Sequence, residues 1–149
     1  MFKVLLLTLC VAFIASEVNA KKFVAYKNPT TALIAMQVCR NFGGHLAAIE
    51  SDSDHANALA AVTAKGFTFQ PNELWSIAGC DSGVEGEWVL LSQNRINTYS
   101  KFLPGQPNGV AGDAENCLAY NTSADDPTNT LWDDVSCDAA TVGFICEFK

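Results

Sequence analysis

The sequence predicts an α+β domain, and three observations carry that prediction. Two helical patterns crowd into the first half of the chain, over 31–42 and 51–64, each bounded by residues that start and stop helices. From Glu73 onward the apolar runs shorten to strand length, separated by clusters of Gly, Pro, Asn and Asp. Of six cysteines, five follow a leading apolar segment, as in a chain that enters an oxidising compartment and staples itself with disulfides. At 149 residues, 49% apolar and 17% charged, the composition suits one folded domain and excludes a disordered or collagen-like chain.

Residues 1–20 read as a secretory signal. Lys3 precedes the apolar run Val4 to Ile14, which is short of the roughly 20 residues a bilayer core requires, and Val18-Asn19-Ala20 supplies small residues for cleavage. The expected domain is therefore 21–149, secreted, with no membrane-spanning segment. Lys22–Tyr26 alternates as a strand. Asn28-Pro29 offers a cap and a helix-starting proline for a helix from Thr31 to Phe42, ended by Gly43-Gly44. His45–Ile49 reads as a strand. Ser51-Asp52-Ser53-Asp54 then places capping oxygens and negative charge at the positive end of a second helix, which runs through Ala64 and stops at Gly66. Asp52 and Asp54 lack the glycine and distal glutamate of an EF-hand loop, so they cap rather than ligate.

Strands are expected at Leu74–Ala78, Glu87–Leu91, Cys117–Asn121, Leu131–Val135 and Gly143–Phe148. Between Leu103 and Cys117, Pro104, Gly105, Pro107, Asn108, Gly109 and Gly112 exclude a helix or a central strand. A loop of that length in a compact domain is characteristically functional.

The formal net charge is −7, which makes nucleic acid and anionic membrane surfaces poor partners. Phe102 to Phe148 contains no lysine or arginine, yet holds Asp113, Glu115, Asp125, Asp126, Asp133, Asp134, Asp138 and Glu147. A solvated acidic surface accounts for Asp125-Asp126. Asp133-Asp134 follows Trp132 inside a strand-like run, and there a hard divalent cation such as calcium, with six to eight oxygen ligands, relieves the repulsion. Cys39, Cys80, Cys117, Cys137 and Cys146 allow two bridges and one unpaired thiol; no Cys-x-x-Cys occurs, and only His45 and His55 offer imidazoles, which argues against a zinc ribbon or finger. Both histidines lie outside the acidic loop and no nucleophile motif accompanies them, so no enzyme activity is expected.

Gln106-Pro107-Asn108, Glu115-Asn116-Cys117, Trp132-Asp133-Asp134 and the closing Cys137 and Cys146 together resemble the long-loop signature of C-type lectin domains. Cys39, Gly43-Gly44-His45-Leu46 and Glu85-Gly86-Glu87-Trp88 are similar as well, and the single-domain form looks like the small secreted lectins of insects. The resemblance implies a double-loop fold with two helices, short antiparallel sheets, disulfides Cys39–Cys146 and Cys117–Cys137, and a cis Pro107. It implies a calcium site built by Gln106, Asn108, Glu115, Asp133 and Asp134, glycans as partners contacted by Gln106, Asn108, Glu115 and Asp133, and a role in innate immune recognition. Trp88, Trp132 and Phe102 are expected in the core.

Departures from the family pattern bear on specificity. The mannose pattern Glu-Pro-Asn with Asn-Asp, and the galactose pattern Gln-Pro-Asp, are both replaced here by Gln-Pro-Asn with Asp-Asp, keeping three carboxylates, Glu115, Asp133 and Asp134. Gln106 and Asn108 then offer two donors, while Glu115 and Asp133 offer two acceptors, so neither sugar label carries over. An accessory calcium site is half represented by Asp81 and Glu85, with Gly109 and Asn116 in place of acids, and is expected to be weak or absent. Cys80, in the turn-like Gly79-Cys80-Asp81-Ser82-Gly83, is expected to form an intermolecular disulfide with an identical chain or another lectin, the alternative being a buried thiol. Asn121-Thr122-Ser123 is a glycosylation sequon, with a glycan expected on Asn121 where the turn before Asp125 is exposed. The competing function is a calcium-independent interaction module of the same fold, acting as a disulfide-linked dimer.

Overall fold

The structure, a computed structural model, describes residues 20–149; the expected signal segment, apart from Ala20, lies outside the described residues. The elements run β1 (Lys22–Tyr26), α1 (Ala32–Asn41), β2 (His45–Leu46), α2 (Asp52–Ala64), β3 (Trp75–Cys80), β4 (Val89–Leu90), β5 (Arg95–Ile96), β6 (Cys117–Thr122), β7 (Thr130–Val135) and β8 (Gly143–Phe148).

Local signals explain much of this order. Ser51 Oγ accepts the Asp54 backbone N–H at 3.0 Å, the expected cap of α2, and Asp52 and Asp54 occupy its first turn. Gly43 follows α1 with φ +85°, a conformation that suits glycine. The start of α1 differs from expectation. Asn28-Pro29 does not open it, because Thr30 and Thr141 exchange backbone hydrogen bonds of 3.1 and 2.8 Å that keep the chain extended as far as Thr31.

Three expected strands shift as well. His45–Ile49 shortens to β2, Glu87–Leu91 to β4, and Leu74–Ala78 moves to β3, because pairing partners rather than apolar runs delimit them. β5 was not foreseen. β1 pairs antiparallel with β8 along its whole length, bringing the two ends of the domain together. Instead of separate antiparallel sheets, the strands join one mixed sheet in which β3 and β8 pair in parallel at Trp75 and Ser76, while β6 bridges β3 and β7.

The core lies between this sheet and the helices. Trp75 and Trp132 are fully buried and Trp88 is 5% exposed, packed with Ile77, Leu118, Tyr120 and Ile145. Phe102 lies edge-on to Trp132 at 5.5 Å and against Trp88 at 5.8 Å, so the start of the long loop is clamped to the core. Both bridges form: Cys39–Cys146 ties α1 to β8, and Cys117–Cys137 ties the start of β6 to the segment after β7. Among the described residues no helix is long and apolar enough to cross a membrane.

Candidate functional site

Two carboxylates shape the long loop between Leu103 and Cys117. Asp134 of β7, 2% exposed, accepts the backbone N–H groups of Asn108 at 3.0 Å and Gly109 at 2.6 Å, one on each oxygen. Asp113 accepts those of Val110 at 2.7 Å and Glu115 at 2.9 Å, the second being the two-residue turn that aspartate favours. Gln106-Pro107 is cis. Gly109 has a steric reason: a Cβ there would stand 2.7 Å from Asp134 Oδ2, so a side chain would push the carboxylate away from the loop.

β7 places Asp133 beside Asp134, and strand alternation sends the two side chains to opposite faces. Asp133 lines an open concavity together with Gln106, Asn121 and Asn129, with the exposed Asp125 and Asp126 beside them. Gln106 Oε1 is buried there and has no hydrogen-bond partner. Asn121 donates from Nδ2 to Asp133 Oδ2 at 2.8 Å, and its Oδ1 accepts the backbone N–H groups of Thr122 at 2.8 Å and Asn72 at 3.2 Å.

The field at this end of the molecule is strongly negative. Burial raises the Asp133 carboxyl above its ordinary range, opposed by the Asn121 hydrogen bond and reinforced by the charge of Asp134. Glu115 is raised by burial, then by the charges of Asp134, Asp113 and Asp133. Glu85 is raised by burial, then by Asp81, Asp113 and Asp134. The donors are all oxygen, the chemistry of a hard dication, and the unpartnered Gln106 Oε1 is an acceptor that such an ion would satisfy. Among the described residues no three His, Cys, Asp or Glu side chains gather closely enough to hold a metal ion.

Asp81 is 2% exposed; one oxygen accepts the Gly86 N–H at 2.9 Å and the other has no partner. Asn116 Nδ2 donates to the Asp113 carbonyl at 3.1 Å. Cys80 is the last residue of β3 rather than part of a free turn. It is half-buried and unpaired among the described residues, its Sγ 3.2 Å from Ser82 Oγ, and it borders an apolar cleft with Met36, Leu46 and Leu91. His45 lies in β2, and His55 packs against Tyr120, with Nδ1 3.0 Å from the hydroxyl; neither lines the concavity. Two contributors went unassigned in the sequence: Asp113, counted only as negative charge although its i+2 turn spacing was visible, and Asn121, noted only as a sequon.

A family model described as the Lectin C-type domain matches residues 28–148. Bovine (Bos taurus) collectin-11 is 29% identical over 132 residues, which is 89% of this chain and 45% of that protein. The C-type lectin mosGCTL-7 of Aedes aegypti is 22% identical over 139 residues, 92% of this chain and 89% of that one. The chain spans less than half the length of the first curated relatives it matches. Among solved structures, the carbohydrate-recognition domain of the mouse scavenger receptor C-type lectin superimposes with a TM-score of 0.67 at 25% identity, over 87% of this chain and 90% of that one. Such domains are generally binding modules without enzymatic activity. With the matched span, both bridges and the shared topology in agreement, this chain belongs to the C-type lectin domain family.

Proposed function

We propose that this protein is a secreted, calcium-dependent glycan-binding protein of innate recognition. Gln106, Asn108, Glu115, Asp133 and Asp134 would hold the ion, and the first four would meet sugar hydroxyls. The observation that carries this reading is the buried Gln106 Oε1, an acceptor without a partner, beside Asp133 in an open concavity. Calcium bound there would offer coordination positions to a pair of hydroxyls, while the side chains supply the hydrogen bonds that orient them. A glycan array read in calcium and again in chelator tests the proposal: signals present in calcium and lost in chelator are expected, and an array blank in both overturns it.

One observation favours a second reading. Both oxygens of Asp134 are engaged by loop amides, which suits a calcium-independent interaction module joined through Cys80 to an identical chain or another lectin. Partner binding that survives chelator, together with a blank array, selects it.

A further inference from the structure

We infer that Asn121 is a specificity-determining residue of the glycan site, its side-chain amide supplying the hydrogen-bond donor that the Glu115 and Asp133 carboxylates lack. The inference rests on the proposed glycan-binding function and deepens it.

The geometry begins with strand register. Asn121 of β6 stands opposite Leu131 of β7, and Ala119 stands opposite Asp133, so Asn121 and Asp133 are diagonal neighbours on one face. Ala119 is too short to meet Asp133, and the longer Asn121 reaches across instead, closing the 2.8 Å bond from Nδ2 to Oδ2. The orientation of the amide is not arbitrary. Two backbone N–H groups, of Thr122 and Asn72, fix the oxygen end, so the nitrogen end must face Asp133. With no glycan attached at the sequon, Nδ2 carries two hydrogens and Asp133 uses one. The other is left for a ligand in the concavity that Asn121, Asp133 and Gln106 line together.

A sugar hydroxyl donates one hydrogen bond and accepts others. Glu115 and Asp133 alone present acceptors only. Asn121 beside Asp133 turns that side of the site into an acceptor with an adjacent donor, recovering on the neighbouring strand the amide that Asp133 does not carry. The preferred ligand is therefore a glycan whose hydroxyl can bridge Asp133 and Asn121, displaced toward β6 from the line joining Gln106 and Asn108.

The test uses the whole secreted protein and resins bearing mannose, fucose, galactose and N-acetylglucosamine. Asn121→Ala and Asn121→Asp are compared with wild type and with Ser123→Ala, which removes the sequon while keeping the amide. Thermal melts confirm that each variant is folded at the assay temperature. Expected is at least a tenfold loss of retention in both Asn121 variants and none in Ser123→Ala, with the Asn121 side-chain amide resonances of the wild type shifting when the retained sugar is added. Undiminished retention by folded Asn121 variants overturns the inference alone. An equal loss in Ser123→Ala, with a glycan seen by intact mass on the wild type, also overturns it, assigning the effect to an attached sugar. A wild type retained by none of the four resins, and silent on the array, overturns both this inference and the function on which it rests.

Discussion

Replacing Asp134 by alanine separates the loop-holding role of this carboxylate from its role toward calcium. The side chain is 2% exposed and takes the N–H groups of Asn108 and Gly109, at 3.0 and 2.6 Å. Hydrogen bonds to an ionised group contribute about 1.5 to 3 kcal/mol each. Asn108 is exposed and Gly109 half-buried, so the freed amides can turn to water in the variant, the lower end applies and the pair is worth about 3 kcal/mol. For a domain of this size that corresponds to a fall of about 10 °C in Tm. Calcium binding to the native state adds stability as RT ln(1 + [L]/Kd), about 2.7 kcal/mol at a hundredfold excess over Kd. Four melting curves, wild type and Asp134→Ala in calcium and in chelator, resolve the two contributions. In chelator the variant should melt about 10 °C below wild type. Calcium should raise the wild type by a comparable amount and the variant by little. Equal melting of the two proteins in chelator would refute the hydrogen-bond argument, and a wild type indifferent to calcium would refute the ion site.

Four further outcomes are expected. Gly109→Ala brings a methyl group to 2.7 Å from Asp134 Oδ2 and should cost about 1 to 3 kcal/mol, seen as an earlier melt, together with weaker glycan retention. His55 is held below its ordinary value of 6.5 by burial and then by the charge of Lys101, against Asp52, so the unfolded chain takes up the proton first as pH falls. The stability from neutral His55 is thus present above pH 6.5 and lost as pH drops through the folded-state value, and the acid-side fall in Tm should be shallower in His55→Gln. Gln106→Glu with Asp133→Asn leaves the net charge unchanged and should yield retention on mannose or fucose resin; a variant that keeps calcium without that gain refutes the donor and acceptor scheme. Non-reducing electrophoresis of secreted protein should show a dimer that Cys80→Ser abolishes, and a monomer in both lanes leaves only the half-buried thiol.

Elements determined by their own residues were legible. The cap at Ser51, the charge at Asp52 and Asp54 and the stop at Gly66 each act within a few positions of the helix end they set, and α2 follows them closely. Elements determined by distant partners were not. Thr30 is withheld from α1 by Thr141, a residue 111 positions away, and nothing near Asn28-Pro29 signals that. Arg95 and Ile96 form β5 with both side chains exposed, so no burial alternation marks them. The parallel meeting of β3 with β8 depends on the strands between them and has no signature in either run.

The same distinction runs through the site. Carboxylate density and the Pro-Gly loop pointed to the proposed region, because charge and turn chemistry can be read one residue at a time, and the family resemblance supplied Glu115, Asp133 and Asp134 as its expected acids. What each oxygen touches depends on register. Asp134 and Asp133 are neighbours in sequence with identical chemistry, yet one is engaged by loop amides and the other by a side chain of the adjacent strand. Their different tasks follow from strand alternation, which sends consecutive residues to opposite faces, and from a register that sets Asn121 diagonal to Asp133. Shifting β6 against β7 by one residue would move Asn121 to the other face and leave the Asp133 carboxylate without its donor. The Cys117–Cys137 bridge opposes such a slip, joining the segment just past β7 to the residue that opens β6. The disulfide therefore supports the proposed site as well as stability: it holds the alignment in which an acid and an amide, twelve residues apart in sequence, meet in one hydrogen bond and stand ready to offer an acceptor and a donor side by side.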